Sequence, residues 1–234
     1  MTEPRSKAEG VLSETAKAHI REVIAQDIFA VDFEIGGKEI EKGNKCEPDA
    51  LALLNGVRGL SLVKNTERRD DGFITGECDL FDAESRVGHD LKTAWSIQTF
   101  PIVPEDIASA QRKLYEWQMV GYMKLWDADE WHVDYCLVNT PDELIRYEPI
   151  TLHFVDHIPA HHRVTTWVLH RDRDREAEIA PRVRAARAYY REIVEQFDRT
   201  HQPGPLVGTA PVKEAAMERA VARAADLIAN PFSI

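Results

Sequence analysis

An α/β domain, a β-sheet with helices packed against it, is what this sequence predicts, and three observations carry that expectation. At 234 residues the chain can bury one sizeable core. Residues 73–95 have the pattern of a β-hairpin, with apolar-rich arms on either side of the polar segment Asp82–Ser85. Residues 109–126 form the strongest helical pattern, and its apolar stripe is wide enough to be buried against a sheet.

Taken in order, Ser13 is a suitable N-cap for a helix reaching Phe29, with Ala16, Ile20, Val23 or Ile24, and Ile28 on one face. A second helix is expected over 45–55, where Leu51 and Leu54 form a stripe with Ala50 beside it and Asn55-Gly56 supplies the stop. Glu47 would lie in its first turn, where the helix dipole favours a carboxylate. Strands over 59–64, 73–81 and 86–95 make a meander, with a charged turn at 65–71. Pro101 and Pro104 break the chain before the helix at 109–126, whose stripe holds Leu114, Trp117, Met119, Val120, Met123 and Trp126. On the same helix Gln118 and Tyr122 stand four apart and face one way, so both need polar partners if buried. Those partners are either a core hydrogen bond or a phosphate or catalytic carboxylate.

Residues 131–138 read as a strand partly buried on both faces, and Thr140-Pro141-Asp142-Glu143 as a capping box opening a short helix to Arg146. An edge strand over 163–170 precedes a long helix over 174–199, with Pro181 marking a bend or the true start. Its Arg182, Arg184, Arg187 and Arg191 are spread around the helix, as solvated ion-pairing residues are. The expected organisation is one domain over 1–200, a Pro/Gly linker over 201–211 and a helical tail over 212–234.

Composition excludes several classes. No apolar run is long enough to span a bilayer, and the first ten residues lack the apolar core of a signal peptide, so a cytoplasmic protein is expected. Cys46, Cys78 and Cys136 are widely spaced with no C-x-x-C pair, and suggest neither a disulfide framework nor a zinc site. Pro159 interrupts the cluster of His153, His157, His161 and His162, and those histidines, with His170, read as structural. A net charge of −11 argues against a broad basic surface for nucleic acid, though a cation-loaded cleft can be locally positive on an acidic body.

The chemistry is expected in residues 72–92. Asp90 and Lys92 are two apart on a strand and project from one face. A paired hairpin would bring Asp79 across to meet them. Two carboxylates with a nearby backbone carbonyl, such as that of Leu91, suit a hard divalent cation such as Mg²⁺. A lysine beside them suits charge stabilisation during attack on a phosphodiester.

With Glu47, Gly76-Glu77-Cys78-Asp79, His89-Asp90-Leu91-Lys92 and Trp117-Gln118-Met119-Val120-Gly121-Tyr122 in that order, the chain resembles the PD-(D/E)xK nucleases. Within them it is similar to the phage-type exonucleases of the YqaJ, lambda exonuclease and RecB-like group, whose Q-x-x-x-Y element Gln118 and Tyr122 match. Glu-Cys-Asp stands where Pro-Asp is usual, and Asp rather than Glu precedes x-Lys. The likeness covers about Ser13 to Arg199. It also leads one to expect a segment ahead of Ser6–Gly10 that contributes to the cleft, whereas Met1 falls just before that stretch here.

The resemblance implies a restriction-endonuclease-like core with a mixed central sheet flanked by helices. It implies Mg²⁺ or Mn²⁺ held by Glu47, Asp79, Asp90 and the Leu91 carbonyl, with Lys92 assisting the attacking water and Gln118 and Tyr122 positioning DNA or the catalytic groups. The three scattered cysteines do not fit the four that bind an iron–sulfur cluster in one branch. The expected activity is that of a metal-dependent exodeoxyribonuclease in recombination or end resection. A single-strand annealing protein is an expected partner, and a homo-oligomer an expected assembly. The alternatives are a structure-selective or single-strand endonuclease, and a non-catalytic module that binds nucleic acid or a recombination partner.

Overall fold

Ser13 opens the first helix as its type suggests, its hydroxyl oxygen accepting the Ala16 N–H, and α1 runs Glu14–Phe29. The computed structural model describes residues 11–33, 36–107 and 109–201. The second helix, α2 (Lys38–Arg58), buries Lys42, Cys46, Ala50 and Leu54, a stripe of exact i, i+4 spacing, and ends at Gly59 with φ +66°. Two short strands, β1 (Arg68–Asp70) and β2 (Thr75–Glu77), pair with each other alone. The main sheet has four strands in the order β3 (Leu80–Asp82), β4 (Val87–Thr93), β5 (Glu130–Cys136) and β6 (Val164–His170). Its outer pairs are antiparallel and β4–β5 is parallel, so the sheet is mixed. A parallel pair needs a crossover, and α3 (Ser109–Trp126) supplies it. The short α4 (Asp142–Ile145) and the long α5 (Arg173–Thr200) complete the elements.

Alternation along the strands divides the core between the two sheet faces. On one, Trp131, Val133 and Tyr135 meet Trp117, Met119, Val120, Met123 and Trp126 of α3. On the other, Leu80, Cys136 and Val164 meet Cys46, Ala50 and Leu54 of α2. A third cluster joins α1 to α5 through Val23, Ile24 and Tyr190. Gly88 lies flat beneath the Trp131 ring, in space a Cβ would have to share with ring carbons. Lys42, fully buried, donates to the carbonyls of Ala94, Trp95 and Val138 at 2.7, 3.0 and 3.0 Å. Its ammonium thus ties α2 to the chain leaving β4 and β5, against a burial cost that pulls its pKa down to about 8. No helix among the described residues is long and apolar enough to cross a membrane.

Several sequence expectations are corrected. No strand forms over 59–64: Asn55 pairs with both backbone groups of Leu62, and β1 instead takes residues expected in the charged turn. The stretch 73–81 is not one strand, because β2 and β3 belong to different sheets with Cys78 and Asp79 between them. The second helix begins at Lys38 rather than Lys45, so Glu47 sits in mid-helix and the dipole does not explain it. Thr140 caps nothing; its hydroxyl donates to Trp95 O at 3.1 Å and meets His153 Nδ1. Pro181 lies within α5, whose N-cap is Asp172, so the helix begins eight residues ahead of it. Arg187 is not a solvated ion-pairing residue, since it donates to the carbonyls of Gly72 and Phe73. The linker over 201–211, apart from His201, and the tail over 212–234 lie outside the described residues.

Candidate active site

Strand alternation places Asp90 and Lys92 on the α3 side of β4, and the Leu80↔His89 register brings Asp79, just ahead of β3, alongside them. The Leu91 N–H donates to Asp79 Oδ2 at 3.0 Å, which fixes that carboxylate against β4. Lys92 Nζ lies 2.7 Å from Asp90 Oδ2, and Asp90 is only 3% exposed. The same ammonium stands 5.1 Å from the centre of the Tyr115 ring. Tyr135, the neighbour of Lys92 in the parallel register, completes its surroundings.

These groups open onto one cleft of about 610 Å³, lined by Glu47, Asp79, Asp90, Leu91, Lys92, Gln118 and Tyr122 among others. The seven candidate metal-binding, catalytic and positioning residues expected from the sequence all line it. Glu47 reaches the cleft from α2, with its Oε2 2.6 Å from Lys64 Nζ. Gln118 and Tyr122 are both buried and form a chain: Gln118 Nε2 donates to the Tyr122 hydroxyl at 3.3 Å, which donates to Glu77 O at 3.0 Å. That carbonyl lies two residues before Asp79. The Tyr122 ring also packs on Gly76, where a Cβ would come within 2.8 Å of it. The pair thus holds the backbone that presents Asp79. Sequence reasoning missed Lys64, Tyr115 and Tyr135; the last was within reach, because a parallel β4–β5 pairing puts it beside Lys92.

The electrostatics are those of buried carboxylates crowded around one ammonium. Burial, then the Asp90 charge, pushes the Asp79 carboxyl up to about 6, while Lys92 and the Leu91 N–H pull the other way and Glu47 adds to the push. Burial works against the Lys92 ammonium, but Asp90 and Asp79 overcome it and hold its pKa above the ordinary lysine value. Asp90 Oδ2, within reach of that ammonium, has no hydrogen bond of good geometry although it is buried. Oxygen donors of like charge, held together at a cost and incompletely satisfied, fit a hard divalent cation.

A stability prediction follows from Asp79. Its folded pKa of about 6 lies above the ordinary aspartate value of 3.8, so the folded chain binds more protons between those values and loses stability as pH rises through them. The cost is fully present above that window. Asp79→Asn keeps an oxygen for the Leu91 N–H and removes the charge, so the metal-free variant is expected to be more stable than wild type by about 3 kcal/mol near pH 8. The gain should vanish toward pH 4, near the ordinary aspartate value. Urea unfolding at the two pH values measures both.

On the opposite face of the same strands, His89, His132 and Asp134 form a group whose side chains could hold a metal ion. It is separate from the cleft, because His89 and Asp90 are consecutive in a strand and point to opposite sides.

No family model matches the chain, and no curated protein matches it either. Solved structures do. A phage-related exonuclease from Haemophilus somnus 129PT is 38% identical, with a TM-score of 0.77 over 83% of this chain and 91% of that one. The alkaline exonuclease LHK-Exo of Laribacter hongkongensis aligns at 15% identity and TM-score 0.56, over 83% of this chain and 90% of that one. The same enzyme in complex with dAMP aligns at 16% identity, again with TM-score 0.56, over 79% and 84%. These two share the fold. With the first relative matched across nine-tenths of its length, on the mixed sheet and motif order described above, this chain belongs to the phage-related exonucleases of the YqaJ and lambda-exonuclease-like PD-(D/E)xK nucleases.

Proposed function

We propose that this protein is a Mg²⁺-dependent DNA exonuclease that hydrolyses phosphodiesters from a strand end. The observation that carries the reading is the convergence of Asp79, Asp90 and Lys92 on one cleft in a chain of this family. Glu47, Asp79, Asp90 and the Leu91 carbonyl are the groups that would hold Mg²⁺, or Mn²⁺. When bound, the ion would supply Lewis-acid activation of water and of the scissile phosphate.

The chain's own residues have separable roles. Asp90 keeps Lys92 in place through the 2.7 Å ion pair, and with its pKa held above the usual value Lys92 stays protonated throughout any working pH range. It therefore acts as a fixed cation and hydrogen-bond donor toward charge developing on the phosphate oxygens, not as a base. Tyr122, held by Gln118, fixes the backbone ahead of Asp79, and these two are positioning residues. A role in recombination or end resection, a single-strand annealing partner and a homo-oligomer rest on family membership alone.

The test is linear duplex DNA labelled at its 5′ or 3′ end, incubated with Mg²⁺, Mn²⁺ or EDTA beside a covalently closed circle. Metal-dependent loss of the linear DNA with the circle spared is expected. Cutting of the circle would replace the reading with an endonuclease, and no cutting of either would leave a binding module.

A further inference from the structure

The sheet face turned away from the cleft carries imidazoles and carboxylates for which the nuclease reading has no use. In the parallel register His89 of β4 stands directly beside His132 of β5, and Asp134, two residues on, projects from the same face. The two rings meet edge to face with centroids 4.9 Å apart. His89 Nδ1 lies 2.8 Å from Asp134 Oδ2, and the Thr166 hydroxyl donates to the other oxygen of Asp134 at 2.5 Å. One ligand atom from each of His89, His132 and Asp134 falls within 4.8 Å of the others. His89 and Asp134 are 5% and 1% exposed, while His132 is half-buried and so leaves a path for entry. Glu130 continues the row outward, with one oxygen 3.2 Å from His132 Nε2 and the other 3.2 Å from His170 Nδ1.

We propose that His89, His132 and Asp134 form a second metal site, for a borderline transition ion of the Zn²⁺ type, on the sheet face opposite the cleft. Two imidazoles and one carboxylate are a donor set for zinc, whereas Mg²⁺ takes oxygen alone, so the two sites differ in the ion they select. The supporting groups are also those of a metal centre. Thr166 orients the carboxylate, and Glu130 engages one nitrogen of His132, leaving the other for ligation. An ion here would join β4 to β5 immediately behind Asp90, and so stabilise the strand that carries the candidate catalytic pair.

The experiment uses tag-free, metal-stripped full-length protein exposed to Zn²⁺ and then desalted, with bound zinc counted by mass spectrometry and the thermal midpoint recorded. The comparison proteins are Asp79→Asn/Asp90→Asn, which disables the cleft, and His132→Ala, with circular dichroism to verify the fold. His132→Gln replaces His132→Ala if the latter does not fold. One Zn²⁺ per chain and a raised midpoint are expected in wild type and in Asp79→Asn/Asp90→Asn, with affinity at least about a hundredfold weaker in the His132 variant. Absence of zinc from wild type would reduce His89 and Asp134 to a buried hydrogen-bonded pair and overturn the proposal. Zinc kept by the His132 variant but lost from Asp79→Asn/Asp90→Asn would place the ion in the cleft and overturn it equally. Neither readout depends on DNA cleavage, so failure of the exonuclease reading would leave this result standing.

Discussion

Changing Asp90 to Asn is expected to leave a folded protein whose cleavage of linear duplex DNA is at least about a thousandfold slower. The substitution is nearly isosteric at a position only 3% exposed, so the core around it need not move. What disappears is the charge that pairs with Lys92 at 2.7 Å and shares the cleft with Asp79. With one carboxylate neutral, the oxygen set for a hard cation loses its deepest member and Lys92 loses its anchor. The Asp90 charge also ranks second among the influences raising Asp79, so Asp79 should titrate lower in the variant. Single-turnover digestion of end-labelled DNA, with circular dichroism as the folding control, measures the effect. An unchanged rate would remove Asp90 from the mechanism.

Lys92→Met should be the more damaging change to the fold. Methionine matches the stem but leaves Asp90 buried beside Asp79 with no ammonium between them, and breaking a buried ion pair on one side costs about 3–5 kcal/mol. The sign with pH is set by the carboxylates. Lys92 is the main charge pulling the Asp79 carboxyl down, so without it that carboxyl rises further, and the metal-free variant should regain stability as pH falls below the value of about 6 that Asp79 already reaches. Saturating Mg²⁺ should restore part of the loss near pH 8, because the cation takes over the missing positive charge. Cleavage should fall by about a hundredfold to ten-thousandfold even then, since no fixed donor faces the phosphate. Urea unfolding with and without Mg²⁺ separates the stability effect from the kinetic one.

The grouping of the candidate site was legible in the sequence because strand alternation is a local rule. Asp90 and Lys92 share a face whatever the rest of the chain does, and the polar turn between β3 and β4 fixed the pairing that delivers Asp79. Gln118 and Tyr122 were legible as a pair through helix geometry, though not as partners of Glu77, a contact 45 residues away for Tyr122. What stayed hidden depends on contacts between distant segments. The Asn55 amide, by pairing with Leu62, denies residues 59–64 a strand partner. The first turns of α2 are hidden because Lys42, the first member of the buried stripe, is a cation that sequence patterning reads as polar and exposed. The His89–His132–Asp134 group needs the parallel β4–β5 register, which a crossover through α3 creates and no local pattern announces.

Calorimetric titration of Mg²⁺ into metal-free wild type and Asp90→Asn bears most directly on Asp79, Asp90 and Lys92 acting as one cation-dependent centre. Saturable binding to wild type, at least about tenfold weaker in Asp90→Asn, is the expected result. Equal affinity in the two proteins would contradict it, and would move the cation away from the cleft on which the proposed chemistry depends.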